Sequence, residues 1–316
     1  MKDNLFEKLE KMIVKANSIL LVGHAQPDQD AVGSVLAFRS YLLHLGKKIS
    51  CYIPDSAPQY ISFMPGSEDL ISDSSILNKN WDLIIFFDCS SVDRAGMTQQ
   101  DLFNKLTVVI DHHISNKGFA FLNIINPYTS STCEIIYYYF LTINYPIDRT
   151  IATCLLAGIL ADTNGFSNAA TNSQSILISS ELIKKGVKIF QIIDYAMRNK
   201  SLNGLKLWGE VLSRLKVNKE LNIAYTYIKD EDFRKFGVKE DELQGLANFL
   251  NVIVDVSAVA VFHIYSDKIK ASWRTKRDDV DLAKFCQIFG GGGHQKAAGF
   301  TVNWQIIEKN GELMIV

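Results

Sequence analysis

Four short apolar runs in the first half of the chain constrain its fold more than any other feature. They are rich in β-branched and aromatic residues and nearly continuous in apolar side chains: SILLVGH (18–24), KKISCYI (47–53), DLIIFFD (82–88) and LTVVID (106–111). Strands of this kind are typical of parallel sheets covered on both faces. Between the first two runs, residues 31–46 have helical spacing and end at Gly46, a typical C-terminal cap. The pattern predicts an α/β fold in which helices flank a parallel sheet.

The rest of the chain predicts a helical connector and a second, smaller domain. Residues from about 171 to 216 have a mostly helical pattern that becomes increasingly polar. Alternating apolar residues then predict strands near 222–228, 256–266 and 268–275. The 316 residues fit two domains at about 150 residues each. We predict a larger parallel-sheet domain over 1–186, a helical linker over 187–216 and a mixed α/β domain over 217–316.

Charge and cysteine content exclude several classes of protein. The formal net charge of -1 does not favour binding to long duplex nucleic acid, which needs an excess of Lys and Arg over Asp and Glu. The five cysteines are odd in number and lack C-x-x-C spacing, so they support neither a disulfide framework nor a zinc knuckle: Cys51, Cys89, Cys133, Cys154 and Cys286. No apolar stretch approaches the roughly 20 residues that span a bilayer. We therefore expect a soluble cytoplasmic protein.

Acidic and histidine residues follow the predicted strands at the point where each strand ends. They are His24, Asp28 and Asp30, then Asp88, then Asp111, His112 and His113, with Asp162 after the apolar run 151–161. Because the carboxyl ends of parallel strands meet at one edge of a sheet, we expect these side chains to converge.

Such a convergence requires cations. Two carboxylates about 4 Å apart repel by about 4 kcal/mol at an effective dielectric near 20. Two divalent ions would balance the four carboxylates of Asp28, Asp30, Asp88 and Asp162, and carboxylate with imidazole favours Mn²⁺ or Mg²⁺ over structural zinc. The sequence therefore predicts a two-metal site that generates hydroxide for attack on phosphorus. We do not expect Cys89 to act as a nucleophile, and we interpret His44 and His263, in apolar surroundings, as structural.

Six segments resemble the motifs of a known family. GHAQPDQDAVGS (23–34), FFDCSSVDR (86–94), VIDHH (109–113) and GILADTNGFS (158–167) resemble the four motifs of the DHH phosphoesterase superfamily. SWRTK (272–276) and FGGGGHQKAAGF (289–300) resemble the two signatures of its DHHA1 subdomain. The compact length is similar to that of the bifunctional oligoribonuclease and pAp phosphatase group, called nanoRNase. The resemblance implies hydrolysis of short single-stranded RNA and pAp in a crevice between the two domains.

The resemblance also implies a role for each matching residue. His24 and Asp28 would hold a first ion, Asp30, His112 and Asp162 a second, and Asp88 would bridge the two. Asp111 would orient an imidazole, and His113 would face the scissile phosphate. Arg274 would clamp a phosphate, and the substrate loop would comprise Gly290, Gly291, Gly292, Gly293 and His294. Four consecutive glycines allow a backbone to approach a phosphate or base without Cβ clashes.

Two other functions remain open from the sequence. A phosphodiesterase for linear or cyclic dinucleotides, such as pApA or cyclic di-AMP, would use the same metals and differ only in its pocket contacts. A non-catalytic nucleotide sensor on the same fold is the second alternative, although intact residues at every ligand position argue against it. The fourth motif reads ADTNG where relatives more often have TDTG, so Ala161 and Asn164 would alter the surroundings of Asp162. A homodimer is compatible with the sequence, which contains nothing that requires one.

Overall fold

The chain divides into two compact units, Met1–Asn199 and Lys200–Val316. The computed structural model describes residues 3–197, 200–304, 306–309 and 312–315. The division falls within the predicted linker, 187–216, whose own limits stay a prediction. None of the described helices is long and apolar enough to cross a membrane.

The first unit is built on a six-stranded parallel sheet. Its strands are β1 (Ser18–Val22), β2 (Lys48–Tyr52), β3 (Leu70–Ile71), β4 (Leu83–Phe87), β5 (Thr107–Asp111) and β6 (Leu122–Ile125). Their order across the sheet is β3-β2-β1-β4-β5-β6, and every neighbouring pair is parallel. Every residue of β4 and β5 is buried, as expected for strands covered on both faces. The four predicted strands correspond to β1, β2, β4 and β5.

The described residues of this unit form six α-helices. They are α1 (Asp3–Lys15), α2 (Gln29–His44), α3 (Thr132–Thr142), α4 (Arg149–Asp162), α5 (Ser173–Lys184) and α6 (Ile189–Met197). Side chains from all six of these helices form the larger apolar core with one face of the sheet, and a smaller core covers the other face. Gly33 in α2 lies where a Cβ would meet the Cys154 carbonyl oxygen of α4 at 2.4 Å. Glycine therefore lets α2 and α4 pack in close contact.

The second unit contains a mixed sheet with helices. Its strands are β7 (Lys216–Asn218), β8 (Ile223–Lys229), β9 (Ala258–Ile264), β10 (Ile269–Arg274), β11 (Gly292–His294) and β12 (Ala297–Val302), in the order β11-β12-β10-β9-β8-β7. Its helices are α7 (Leu202–Ser213), α8 (Asp230–Phe236), α9 (Leu246–Leu250) and α10 (Leu282–Gln287), and a hairpin follows of β13 (Ile306–Lys309) and β14 (Glu312–Ile315). The pair β8–β9 is parallel and the other pairs are antiparallel. The predicted fold class is confirmed.

The two histidines expected in apolar surroundings have polar neighbours instead. His263 is buried on β9, with Nε2 3.1 Å from Asp230 Oδ1 and Nδ1 3.2 Å from Glu240 Oε1. His44 is exposed, and its ring contacts the Tyr145 hydroxyl. The expectation of apolar surroundings was wrong because the neighbours of a side chain in space come from other elements of the fold.

Candidate metal centre

The carboxyl ends of three adjacent strands carry the polar residues predicted from the sequence. His24 follows β1, Asp88 follows β4, and β5 ends at Asp111 with His112 and His113 directly after it. Since β1, β4 and β5 are neighbours in a parallel sheet, these residues meet at one edge. Helix ends supply the others: Asp28 caps the N-terminus of α2, Asp30 lies in its first turn, and Asp162 is the last residue of α4.

The structure gathers six of these side chains into two groups. In each group the possible ligand atoms lie within 4.8 Å of one another; the groups are His24, Asp28 and Asp88, and Asp30, His112 and Asp162.

Asp88 lies between the two groups. Its Oδ2 is 3.3 Å from His24 Nε2, and its Oδ1 is 3.5 Å from His112 Nε2. The residue has a left-handed φ of 58°, which Asp and Asn adopt more readily than most residues, and its backbone N–H donates to the Ile110 carbonyl at 3.0 Å. Burial opposes ionisation of Asp88, but the imidazoles of His113, His24 and His112 lower its pKa. Asp88 therefore presents one oxygen to each group.

In the first group, Asp28 has two functions. Its Oδ1 accepts hydrogen bonds from the backbone N–H groups of Asp30 and Ala31, both at 3.0 Å, and its Oδ2 lies 3.8 Å from His24 Nε2. His24 Nδ1 is 2.8 Å from the Ala25 carbonyl oxygen. A proton on Nδ1 donated to that oxygen leaves Nε2, the nitrogen facing the two carboxylates, as the ligand atom.

In the second group, the N-terminus of α3 holds Asp30. The backbone N–H groups of Thr132 and Cys133 donate to its two oxygens at 2.7 and 2.9 Å. His112 Nε2 lies 3.0 Å from Asp162 Oδ2 and 4.0 Å from Asp30 Oδ2. A carboxylate in the last turn of a helix is opposed by the helix dipole, so Asp162 needs positive charge nearby.

The electrostatics of the two groups fit divalent cations. Burial raises the pKa of Asp30 well above its usual range, and the nearby charges of Asp88 and Asp162 add to the effect. Among the residues that the structure describes, no Lys or Arg forms an ion pair with any of the four carboxylates: Asp28, Asp30, Asp88 and Asp162. Oxygen and imidazole donors without a thiolate suit Mn²⁺ and Mg²⁺. The residues present therefore fit such ions.

Asp111 is fully buried and contacts His113. Its Oδ1 accepts hydrogen bonds from His113 Nδ1 at 2.8 Å and from the His113 backbone N–H at 3.2 Å. Its Oδ2 accepts from Asn116 Nδ2 at 2.7 Å, and the same amide nitrogen donates to the Cys89 carbonyl at 3.0 Å. The imidazole that Asp111 orients is thus that of His113.

Cys89 lies beside this cluster, but its thiol is not accessible to a ligand there. Its side chain is fully buried, and its Sγ donates to the Phe87 carbonyl at 3.3 Å. Burial and the nearby charges of Asp111 and Asp88 raise the pKa of the Cys89 thiol well above its usual range. A buried neutral thiol is a poor nucleophile.

Two further residues at the centre were not predicted from the sequence. The Thr132 hydroxyl donates to Asp88 Oδ1 at 2.9 Å, so the first residue of α3 contacts both Asp88 and Asp30. A Cβ on Gly158 in α4 would meet Asp30 Oδ1 at 2.6 Å and Cys133 Sγ at 2.4 Å. The sequence signals were a Ser-x-x-Glu capping pattern at 131–134 and a glycine inside an otherwise apolar helix.

The residues predicted to bind substrate lie in the second unit. In the register of the sheet, both Arg274 of β10 and His294 of β11 lie opposite Ala297 of β12. Residues directly opposite one another share a face, so Arg274 and His294 stand on the same face of the sheet. Two residues before Arg274 on β10, and on the same face, Ser272 lies opposite Gly299 of β12, and Gly292 of β11 lies opposite the same glycine. On β11, β12 and β10 the row of these three residues therefore carries only the Ser272 side chain, and Val261 of β9 follows it in the same row.

Different structural requirements explain different glycines of the run 290–293. A Cβ on Gly291 would meet the Gly299 carbonyl oxygen at 2.1 Å, and one on Gly293 would meet the Ala297 carbonyl oxygen at 2.5 Å. Gly290 has a left-handed φ of 73°, whereas a Cβ on Gly292 would meet no atom within 4 Å. Packing or backbone conformation thus explains three of the glycines, and only Gly292 is free of such a requirement.

Comparison with known proteins follows the same division of the chain. The profile of the "DHH family, N-terminal domain" matches residues 18–159, and that of the "DHHA1 domain" matches residues 220–312.

Relatives cover nearly the whole chain. The uncharacterized protein MG371 homolog of Mycoplasma pneumoniae is 29% identical over 95% of this chain and 90% of its own length. The bifunctional oligoribonuclease and PAP phosphatase NrnA of Thermus thermophilus is 27% identical over 90% of this chain and 84% of its own length. Among solved structures, an exopolyphosphatase-related protein from Bacteroides fragilis matches with a TM-score of 0.85 at 27% identity, covering 94% of this chain and 90% of that one. The chain therefore belongs to the DHH family of phosphoesterases, with a DHH domain followed by a DHHA1 domain.

Proposed function

We propose that this chain hydrolyses short RNA oligonucleotides and pAp with the help of two divalent cations, most readily Mn²⁺. The observation that carries the proposal is the position of Asp88 between two groups of ligand-type side chains. The similarity to an enzyme named as an oligoribonuclease and PAP phosphatase supports this choice of substrates.

The first cation would be held by His24, Asp28 and Asp88, and the second by Asp30, His112, Asp162 and Asp88. Bound there, the two ions would neutralise the carboxylates and activate a water molecule for attack on phosphorus. The α3 N-terminus contributes by fixing Asp30 through two N–H groups and Asp88 through the Thr132 hydroxyl. Ligands that are held in this way need little reordering when an ion binds.

His113 is the candidate for proton transfer to the leaving oxygen. Asp111 fixes its Nδ1 at 2.8 Å, so Nε2 is the nitrogen that would donate a proton. About a fifth of the His113 side chain is exposed, whereas Asp111 is fully buried. His113 therefore combines a fixed orientation with access to a ligand.

The second unit would hold the substrate on the face that carries Arg274 and His294. Arg274 is suited to a phosphate because its planar fork matches two oxygens. Gly292 lies on the same face, where no packing requirement explains a glycine. The absence of a side chain there would allow a nucleotide to approach the backbone closely.

Asp88→Asn tests the bridging role, because Asn tolerates the left-handed φ that Ala would strain. We expect elemental analysis and Mn²⁺ titration calorimetry to show loss of bound metal, together with loss of turnover. Asp267→Asn, in an exposed turn of the second unit, removes the same charge and should leave both unchanged. An Asp88→Asn enzyme that kept metal content and wild-type turnover would contradict the proposal.

A comparison of substrates separates the proposed function from its alternatives. Turnover of pApA, pAp, cyclic di-AMP and a five-nucleotide RNA would be measured side by side with the same Mn²⁺-loaded protein. We expect turnover of pAp and of the RNA. Hydrolysis confined to cyclic di-AMP and pApA would identify a dinucleotide phosphodiesterase, and binding without hydrolysis of any of the four would identify a sensor.

A further inference from the structure

Two neutral groups orient the guanidinium of Arg274. Its Nε donates to Asn248 Oδ1 at 2.6 Å, and its Nη1 donates to the Trp273 carbonyl oxygen at 2.8 Å. Among the residues that the structure describes, no carboxylate forms an ion pair with Arg274. Two other arginines of this unit do form such pairs, Arg214 with Asp232 and Arg277 with Asp279.

The position of α9 explains the contact with Asn248. Leu246 and Leu250 of α9 pack into the core that includes Val259 of β9. Val259 lies directly opposite Arg274 in the register of β9 and β10. The helix therefore packs against both β9 and β10, which brings Asn248 to the Nε of Arg274.

The hydrogen-bond inventory of the guanidinium shows what remains for a ligand. Arginine has five N–H donors, and Asn248 and Trp273 use one each. The other three donors, on Nη1 and Nη2, have no partner among the residues that the structure describes, and they form the edge that binds two oxygens of a phosphate. Burial lowers the pKa of Arg274 to about 10, which leaves the group charged at neutral pH.

We propose that Asn248 is a positioning residue that turns Arg274 toward a phosphate of the substrate while leaving its charge uncompensated. The inference rests on the proposed function, because it takes a phosphorylated nucleotide as the ligand. A carboxylate at position 248 would hold Nε equally well but would neutralise the guanidinium. An amide holds the same atom without competing with the phosphate.

Two substitutions at position 248 distinguish this role from a merely structural one. Asn248→Asp keeps an acceptor for Nε and adds a charge, whereas Asn248→Ala removes the acceptor. We expect Asn248→Ala to raise KM for pAp about threefold through lost orientation, and Asn248→Asp to raise it about thirtyfold through competition with the phosphate. The kcat and the Mn²⁺ affinity should stay near the wild-type values in both variants.

Which of the two variants has the larger increase in KM distinguishes a positioning role of Asn248 from a structural one. If Asn248 only stabilised the fold, Asn248→Asp would be the milder change, because its hydrogen bond to Arg274 survives. Asn251→Asp places the same charge at the C-terminal end of α9 and is expected to leave KM unchanged. A KM for Asn248→Asp at or below that of Asn248→Ala, or an equal rise in Asn251→Asp, would overturn the inference.

Calorimetric binding of pAp to the metal-free protein separates this inference from the proposed function. Suppose that the wild-type protein hydrolyses none of the substrates, but affinity still falls from wild type to Asn248→Ala to Asn248→Asp. That result would support the role of Asn248 and refute the proposed hydrolase activity. If the wild-type protein hydrolyses its substrates and Asn248→Ala, Asn248→Asp and Asn251→Asp all bind like the wild type, only the role of Asn248 is refuted.

Discussion

Gly158 provides a direct test of how closely the helices pack around the metal centre. Gly158→Ala would place a Cβ 2.6 Å from Asp30 Oδ1, 2.4 Å from Cys133 Sγ and 3.0 Å from Asp30 Cα. Asp30 cannot swing aside at no cost, because the N–H groups of Thr132 and Cys133 hold both of its oxygens. The new methyl group must therefore push α2 and α4 apart or break one of these bonds.

The expected magnitude combines two opposing effects. Replacing glycine by alanine inside a helix stabilises it by about 0.5–1 kcal/mol, and overpacking of a core costs about 1–3 kcal/mol. The difference between these two effects leads us to expect that Gly158→Ala lowers the free energy of unfolding by up to about 2.5 kcal/mol. Because Asp30 moves, Mn²⁺ affinity should fall as well.

Gly209→Ala is the matched control. Gly209 lies in α7, where a Cβ would meet no atom within 4 Å, so only the gain in helix propensity should appear. Chemical unfolding would measure the stability of both variants, and titration calorimetry would measure their Mn²⁺ affinity. The packing argument fails if Gly158→Ala is as stable as Gly209→Ala and binds Mn²⁺ like the wild type.

Three shorter predictions follow from other contacts. Thr132→Val removes the hydroxyl that donates to Asp88 and should lower Mn²⁺ affinity about 10- to 100-fold in calorimetry, whereas Thr132→Ser should retain it. Cys89→Ala should leave kcat unchanged in a steady-state assay; a large loss would restore the thiol as a candidate nucleophile. Hydrogen bonds from His263 and Tyr265 lower the pKa of Glu240 to about 2. Stability from Glu240 should therefore be lost as pH falls from about 4.5 toward 2, so urea unfolding should show a smaller loss over that range in Glu240→Gln.

The strands of the first unit could be predicted where the apolar run was long. The runs at β1, β2, β4 and β5 each contain a strand of five residues. The edge strands β3 and β6 have two and four residues, too few for a periodic pattern to register. Each of these edge strands forms because it pairs with the neighbouring strand, and a local sequence pattern does not predict that pairing.

The gathering of polar residues could also be predicted, because it follows from one topological rule about strand ends. The contacts that orient them could not. Thr132 reaches Asp88 across 44 residues of chain, and Gly158 matters only because α2 passes close to α4. Such contacts depend on how helices pack, which single-residue types do not encode. The roles assigned to His113, Arg274 and the metal ligands stay predictions.

The side-chain-poor row formed by Ser272, Gly299 and Gly292 has a consequence for selectivity. A nucleobase resting on that row would meet peptide planes and a single small hydroxyl, which offer little to tell a purine from a pyrimidine. Discrimination among short strands would then follow the number and spacing of their phosphates, and adenine-rich and uracil-rich dimers should be consumed at similar rates.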